Sequence, residues 1–112
     1  VNTKLKQTYW TCTESNTKLT LEQVLSFSQN IKPTLIKHQD LTHLRTVKCS
    51  IDRVETANTS FPIIVLQHDG LYCRILDGHH RLQKSIRLGN TNILAKVIQK
   101  NKTPSPWQSL LF

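Results

Sequence analysis

A chain of 112 residues has the usual length of one domain and can bury a core without a framework of disulfides or a structural metal. With 38% hydrophobic and 20% charged residues, its composition is neither that of a disordered polyelectrolyte nor that of a membrane protein, and no apolar run is long enough to span a bilayer. The net charge of +8 favours anionic partners, and it is uneven: Arg81, Lys84, Arg87, Lys96, Lys100 and Lys102 fall in residues 81–112, which contain no acid.

The first residues, Val1-Asn2-Thr3-Lys4-Leu5-Lys6-Gln7, lack the apolar core of a secretory signal, which points to a cytosolic protein. Cys12, Cys49 and Cys73 are odd in number and widely spaced, with no Cys-x-x-Cys pair, so reduced thiols are expected. Cys49 beside Val47 and Ile51, and Cys73 between Tyr72 and Ile75, read as small core residues. Thr20-Leu21-Glu22-Gln23 has the form of a capping box, and Leu21, Val24 and Leu25 follow at helical spacing, which predicts a helix over about 21–30. Pro33 ends it, Leu35-Ile36 offers a brief strand, and the polar stretch Lys37-His38-Gln39-Asp40 follows. A second short helix is predicted over 50–57, with Ser50 as cap and Ile51 and Val54 turned inward.

From residue 62 the pattern sharpens. Pro62-Ile63-Ile64-Val65-Leu66 is apolar and rich in β-branched residues, His68-Asp69-Gly70 supplies a turn, and Leu71-Tyr72-Cys73-Arg74-Ile75-Leu76 returns, which reads as a buried β-hairpin. After Asp77-Gly78, residues 80–88 form an expected helix with Leu82 and Ile86 inward, Arg81, Lys84 and Arg87 outward, and Gly89 as its stop. Ile93 to Ile98 is the next strand. The tail over 99–112 is loop-like through Pro106, while Trp107, Leu110, Leu111 and Phe112 are apolar enough to fold back onto the body or onto a second copy of the chain. The expected architecture is a single α/β (α+β) domain with a small mixed sheet and short helices.

The chemistry concentrates at Asp77-Gly78-His79-His80-Arg81. Gly78 lets the backbone approach a ligand, and the first turn of the following helix leaves N–H groups unpaired at the positive end of the helix dipole. Arg81 adds a fork of donors with a fixed charge, Lys84 follows one turn later, and His79 and His80 exchange protons near neutral pH. Together these residues make a phosphate trap at a strand-to-helix turn.

Pro62-Ile63-Ile64-Val65 followed by a hairpin and Ile75-Leu76-Asp77-Gly78-His79-His80-Arg81-Leu82 resembles the ParB/sulfiredoxin superfamily, over roughly residues 34–98; residues 1–33 are not matched. The resemblance implies a nucleotide whose phosphates rest on Gly78, His79, His80 and Arg81, with Asp77 holding the turn or a magnesium ion. Sulfiredoxins carry a cysteine directly after the motif glycine; His79 stands there in this chain, which argues against sulfinic-acid repair. Partition proteins continue into a helix-turn-helix and a dimer domain, which these 112 residues do not include. The expected function is therefore hydrolysis of a nucleoside triphosphate or transfer of its phosphate, with Mg²⁺ as charge partner and Asp40, His79 and His80 as catalytic candidates. Asp52 and Glu55 are further candidate bases.

Three other readings compete. In the first, a nucleic-acid-binding module or ParB-like nuclease grips backbone phosphates at the same turn and extends the track through Lys84, Arg87, Lys96 and Lys100, although Tyr72, Trp10 and Trp107 are not interleaved with that run. In the second, His79 and His80 join His38, His43 or His68 around a transition metal, against which adjacent histidines in an extended segment point apart. In the third, the fold is kept purely as an interaction surface. The Asn-, Thr- and Lys-rich composition suits a phage or mobile-element protein.

Overall fold

Four consecutive side chains, Ile63, Ile64, Val65 and Leu66, are each exposed by 2% or less. A strand buried on both faces reads as a continuous apolar run, and this one sits inside a sheet covered on each side. The computed structural model describes residues 9–12, 17–44 and 48–112; the N-terminal stretch read above for a secretory signal and the side chain of Cys12 lie outside them.

The sheet has four strands, β3 (Thr34–Lys37), β4 (Ile63–His68), β5 (Leu71–Asp77) and β6 (Asn92–Gln99), in the order β3-β6-β4-β5. It is mixed: β3 runs antiparallel to β6, β4 antiparallel to β5, and β4 parallel to β6. A hairpin can join β4 to β5 directly, but a parallel neighbour needs a crossover, and the helix over His79–Arg87 provides it. The β4–β5 turn has Asp69 at φ 51° and Gly70 at φ 79°, the two positive angles that a two-residue type I′ turn demands. A second, two-stranded antiparallel sheet joins β1 (Tyr9–Cys12) and β2 (Thr17–Thr20).

Helices cover both faces. On one, α3 (His79–Arg87) lays Leu82 over Ile63, Val65, Ile75, Ile93 and Ala95. The adjoining α2 (Ile51–Thr56) is capped by Ser50, whose Oγ accepts the Arg53 N–H at 3.3 Å. On the other face, α1 (Leu21–Phe27) and α4 (Ser105–Leu111) bring Val24 and Leu111 against Ile64, Leu66, Leu76 and Ile98, with Leu19 of β2 in the same cluster. The capping box of α1 forms as expected: Thr20 Oγ1 accepts the Gln23 N–H at 3.1 Å, and the Gln23 side chain accepts the Thr20 N–H at 2.9 Å. No helix among the described residues is long and apolar enough to cross a membrane.

Several expectations need correction. Ile86 is 47% exposed, because α3 faces the sheet along Leu82 and Ser85; the Ser85 hydroxyl lies 3.0 Å from His38 Nε2, so a polar side chain is satisfied where an aliphatic one was expected. Ile51 is 60% exposed, since only Val54 of the short α2 turns inward. Cys73 is exposed rather than a core residue: β5 is an edge strand, and its buried part is Ile75 and Leu76, next to Gly78. The loop of the tail is shorter than expected: a 3-10 turn over Lys100–Lys102 and the extended Thr103, followed by Pro104, lead into α4, which begins at Ser105. Gln108 Nε2 donates to the carbonyls of Lys100 and Thr103, both at 3.0 Å, and Trp107 meets Phe27 edge to face at 5.4 Å, so the tail packs on its own body.

Because Leu111 seals the second core, Leu111→Ala is expected to lower unfolding stability by about 3 kcal/mol. Ile86→Ala, on the solvent side of α3, should stay within about 0.5 kcal/mol of the parent. Urea unfolding of both variants checks the pair.

Candidate phosphate-binding turn

Gly78 stands at the N-cap of α3 with φ 102° and ψ 22°, a backbone conformation that L-residues with a Cβ rarely adopt. Space demands glycine as well: a Cβ there would lie 2.5 Å from Ile63 Cγ2 and 2.8 Å from Ile63 Cβ. The end of β5 thus lies hard against Ile63, beside it in the antiparallel register that pairs Ile64 with Asp77, and α3 starts from that contact. Leu82 N–H makes the first intrahelical bond, to the Gly78 carbonyl at 3.0 Å. The N–H groups of His79, His80 and Arg81 precede it, at a helix end with no side-chain cap and no acidic residue in its first turn. Lys84 and Arg87 occupy the last turn, where they complement the dipole. This charge arrangement leaves the N-terminal end favourable to an anion.

The nearby cations are not the outward-pointing charges that the sequence pattern suggests. Arg81 Nη1 donates to the Pro62 carbonyl at 2.8 Å while Nη2 lies 3.8 Å from Asp77 Oδ2, and about a quarter of each charged side chain is exposed. Lys84 Nζ donates to the carbonyls of Glu55 at 2.7 Å and Ala57 at 2.8 Å. The last carbonyls of α2 have no intrahelical donor, so an ammonium from the adjoining helix satisfies them. Both cations therefore tie α3 to the segment between α2 and β4. On the opposite face of the sheet, Lys96 Nζ donates to the Ser28 carbonyl at 3.1 Å, just beyond α1. Lys84 and Lys96 consequently do not form one row, whereas Arg87 is exposed.

His79 is half-buried, and its ring is hydrogen-bonded to the Ile75 carbonyl. Burial pushes its pKa below the ordinary histidine value, with His80 and Arg74 adding to the shift and Asp77 and the Ile75 bond opposing it. Burial thus favours the neutral ring of His79, the form in which one nitrogen is an acceptor. His38 behaves similarly: burial lowers its pKa, opposed by a hydrogen bond to the Asn92 carbonyl. His80, beside them in the first turn of α3, is also half-buried.

Asp77, Gly78, His79, His80 and Arg81 thus come together around the start of α3, whereas Lys84 lies in its last turn and is held by the Glu55 and Ala57 carbonyls. Asp40 does not join them. It is exposed and lines a cleft with His43, Gln67, Gly70, Leu71 and Tyr72, toward the hairpin end of the sheet. From Tyr72 to Gly78 the strand extends about 20 Å. Glu55 lies against α3, where its carbonyl receives Lys84, but its own side chain is exposed. Among the described residues, no three His, Cys, Asp or Glu side chains gather as metal ligands. Sequence reasoning did not reveal the roles of Ile63 and the Pro62 carbonyl. A main-chain acceptor leaves no trace in residue type, but the adjacency of a fully apolar strand to Asp-Gly was a usable sign of close backbone approach.

Gly78→Ala combines strain at positive φ with overpacking against Ile63 and is expected to cost about 3 kcal/mol. Gly70→Ala, with φ 79° but nothing within 4 Å of the added methyl, should cost only about 1 kcal/mol. Denaturant titration of the two separates strain from crowding. For His79 and His38, whose folded pKa values lie below the unfolded 6.5, protons bind the unfolded chain more readily. Stability should hold above pH 6.5 and decline as pH falls below it, with a shallower decline in His79→Gln, as read from urea midpoints across that range. Compared with family models, curated proteins and solved structures, the chain matches none.

Proposed function

We propose that the protein binds a nucleotide through its phosphates at the Gly78 turn and hydrolyses a nucleoside triphosphate or transfers its phosphate. One observation carries this reading: a helix of nine residues begins at a glycine that offers no side-chain cap, in a left-handed conformation pressed onto Ile63, with no acid in its first turn. Such a start supplies main-chain donors without a competing side chain, and a phosphate is the ligand that uses them best.

In this scheme the N–H groups of His79, His80 and Arg81 hold phosphate oxygens. The Arg81 guanidinium, already placed by the Pro62 carbonyl and Asp77, adds charge-assisted bonds, and Lys84 extends the positive field one turn on. Asp77 is the carboxylate at the turn. Magnesium is commonly held by one or two carboxylates together with substrate phosphates, and Asp77 is the group suited to that role, where the ion would neutralise charge on the phosphates. His79, at the turn and with burial favouring its neutral form, takes the part of base in preference to Asp40, which lies toward the other end of β5.

Calorimetric titration with ATP, CTP, GTP and ADP, with and without Mg²⁺ and at two salt concentrations, tests the proposal on the parent and on Arg81→Ala. Saturable binding of one nucleotide is expected, weakened at least about tenfold by the substitution, which corresponds to about 1.4 kcal/mol. Because Arg81 also holds the Pro62 carbonyl, a melting curve of the variant must accompany the titration. Absence of nucleotide binding together with salt-sensitive binding of DNA or RNA would overturn the reading in favour of a nucleic-acid module.

A further inference from the structure

The hairpin end of the sheet carries a second polar site, away from the Gly78 turn. The parallel register of β4 and β6 sets Gln67 opposite Gln99 at the carboxyl ends of both strands. Register partners on adjacent parallel strands send their side chains to the same face, about 5 Å apart, so two primary amides stand side by side. They line a cleft of about 460 Å³ together with Asn101 and Gln108, and this volume falls within the range of small-molecule sites. Gln108 is fixed in place by its bonds to the Lys100 and Thr103 carbonyls. Gln67 and Gln99 also line an adjoining groove of about 330 Å³, which includes the half-buried Tyr72 and Val97.

The chemistry of the walls narrows the ligand. Gln67, Gln99 and Asn101 each carry a carbonyl acceptor and an NH₂ donor, while Gln108, whose NH₂ is engaged by the two carbonyls, adds an acceptor, so the walls carry both donors and acceptors. Charge is balanced: Lys100 contributes one positive group and Asp69 one negative, with His68 Nε2 lying 3.3 Å from Asp69 Oδ2. A phosphate needs donors alone and would meet amide oxygens and a carboxylate here. A hydrocarbon ligand would leave the amides without partners. Hydroxyl groups that both donate and accept suit these walls, and a sugar ring also has an apolar C–H face for a tyrosine ring to support. We infer that this cleft binds an uncharged mono- or disaccharide, held by Gln67 and Gln99 and flanked by Tyr72.

The test follows the side-chain NH₂ resonances of ¹⁵N-labelled protein during titration with glucose, maltose and trehalose, and separately with inorganic phosphate. Saturable shifts at Gln67 and Gln99 with at least one sugar are expected. Gln99→Leu, an exposed position where folding is not at stake, should weaken that sugar's binding roughly fivefold or more. The inference is overturned if no sugar gives saturable shifts at its solubility limit, if phosphate shifts these amides in place of sugar, or if Gln99→Leu binds the sugar as the parent does.

Discussion

The close contact of Gly78 with Ile63 governs the rest of the architecture. Strand β4 is buried on both faces, and the backbone at the end of β5 closes in on its first residue from the side, as the antiparallel pairing of Ile64 with Asp77 requires. The contact fixes the direction in which α3 leaves the sheet. From there Leu82 reaches the core, and Ser85 meets His38 at the start of the turn that follows β3. The same contact makes the helix start without a capping side chain. Fold and candidate site thus share one cause: the glycine needed to bring two backbones together is also the N-cap of α3 and offers it no side-chain cap.

Much of the architecture was legible because its signals are local. Thr20 and Gln23 are three residues apart and their capping box formed; Asp69-Gly70 specified a tight hairpin by its tolerance of positive φ. The continuous run Ile63 to Leu66 announced a strand covered on both faces. What escaped depends on partners distant in sequence. Ile86 has the same hydrophobicity as a core residue, and only the pairing of Ser85 with His38 turns α3 so that Ile86 faces outward. Cys73 lies among apolar neighbours in sequence yet on an uncovered part of an edge strand. The α4 helix was hidden behind two prolines, although proline is at home in a helix's first turn.

For the site, residue types identified the turn but not what its cations hold. Arg81 and Lys84 were legible as positive charge; that they bind the carbonyls of Pro62, Glu55 and Ala57 was not, because main-chain acceptors are the same at every position. Their engagement ties α3 to the stretch from Glu55 to Pro62. Histidines are likewise engaged: His38 and His79 hold ring contacts within the body, and burial favours their neutral forms.

Leu19 and Leu111 occupy one hydrophobic cluster, with α4 packing against the hairpin of β1 and β2. A ribosome delivers the chain from its N-terminal side, so the hairpin and α1 emerge with their apolar faces uncovered and stay so until residue 111 has left the exit tunnel. One half of the core can close only after synthesis has passed the last strand, so this face closes later than the β4–β5 hairpin can form.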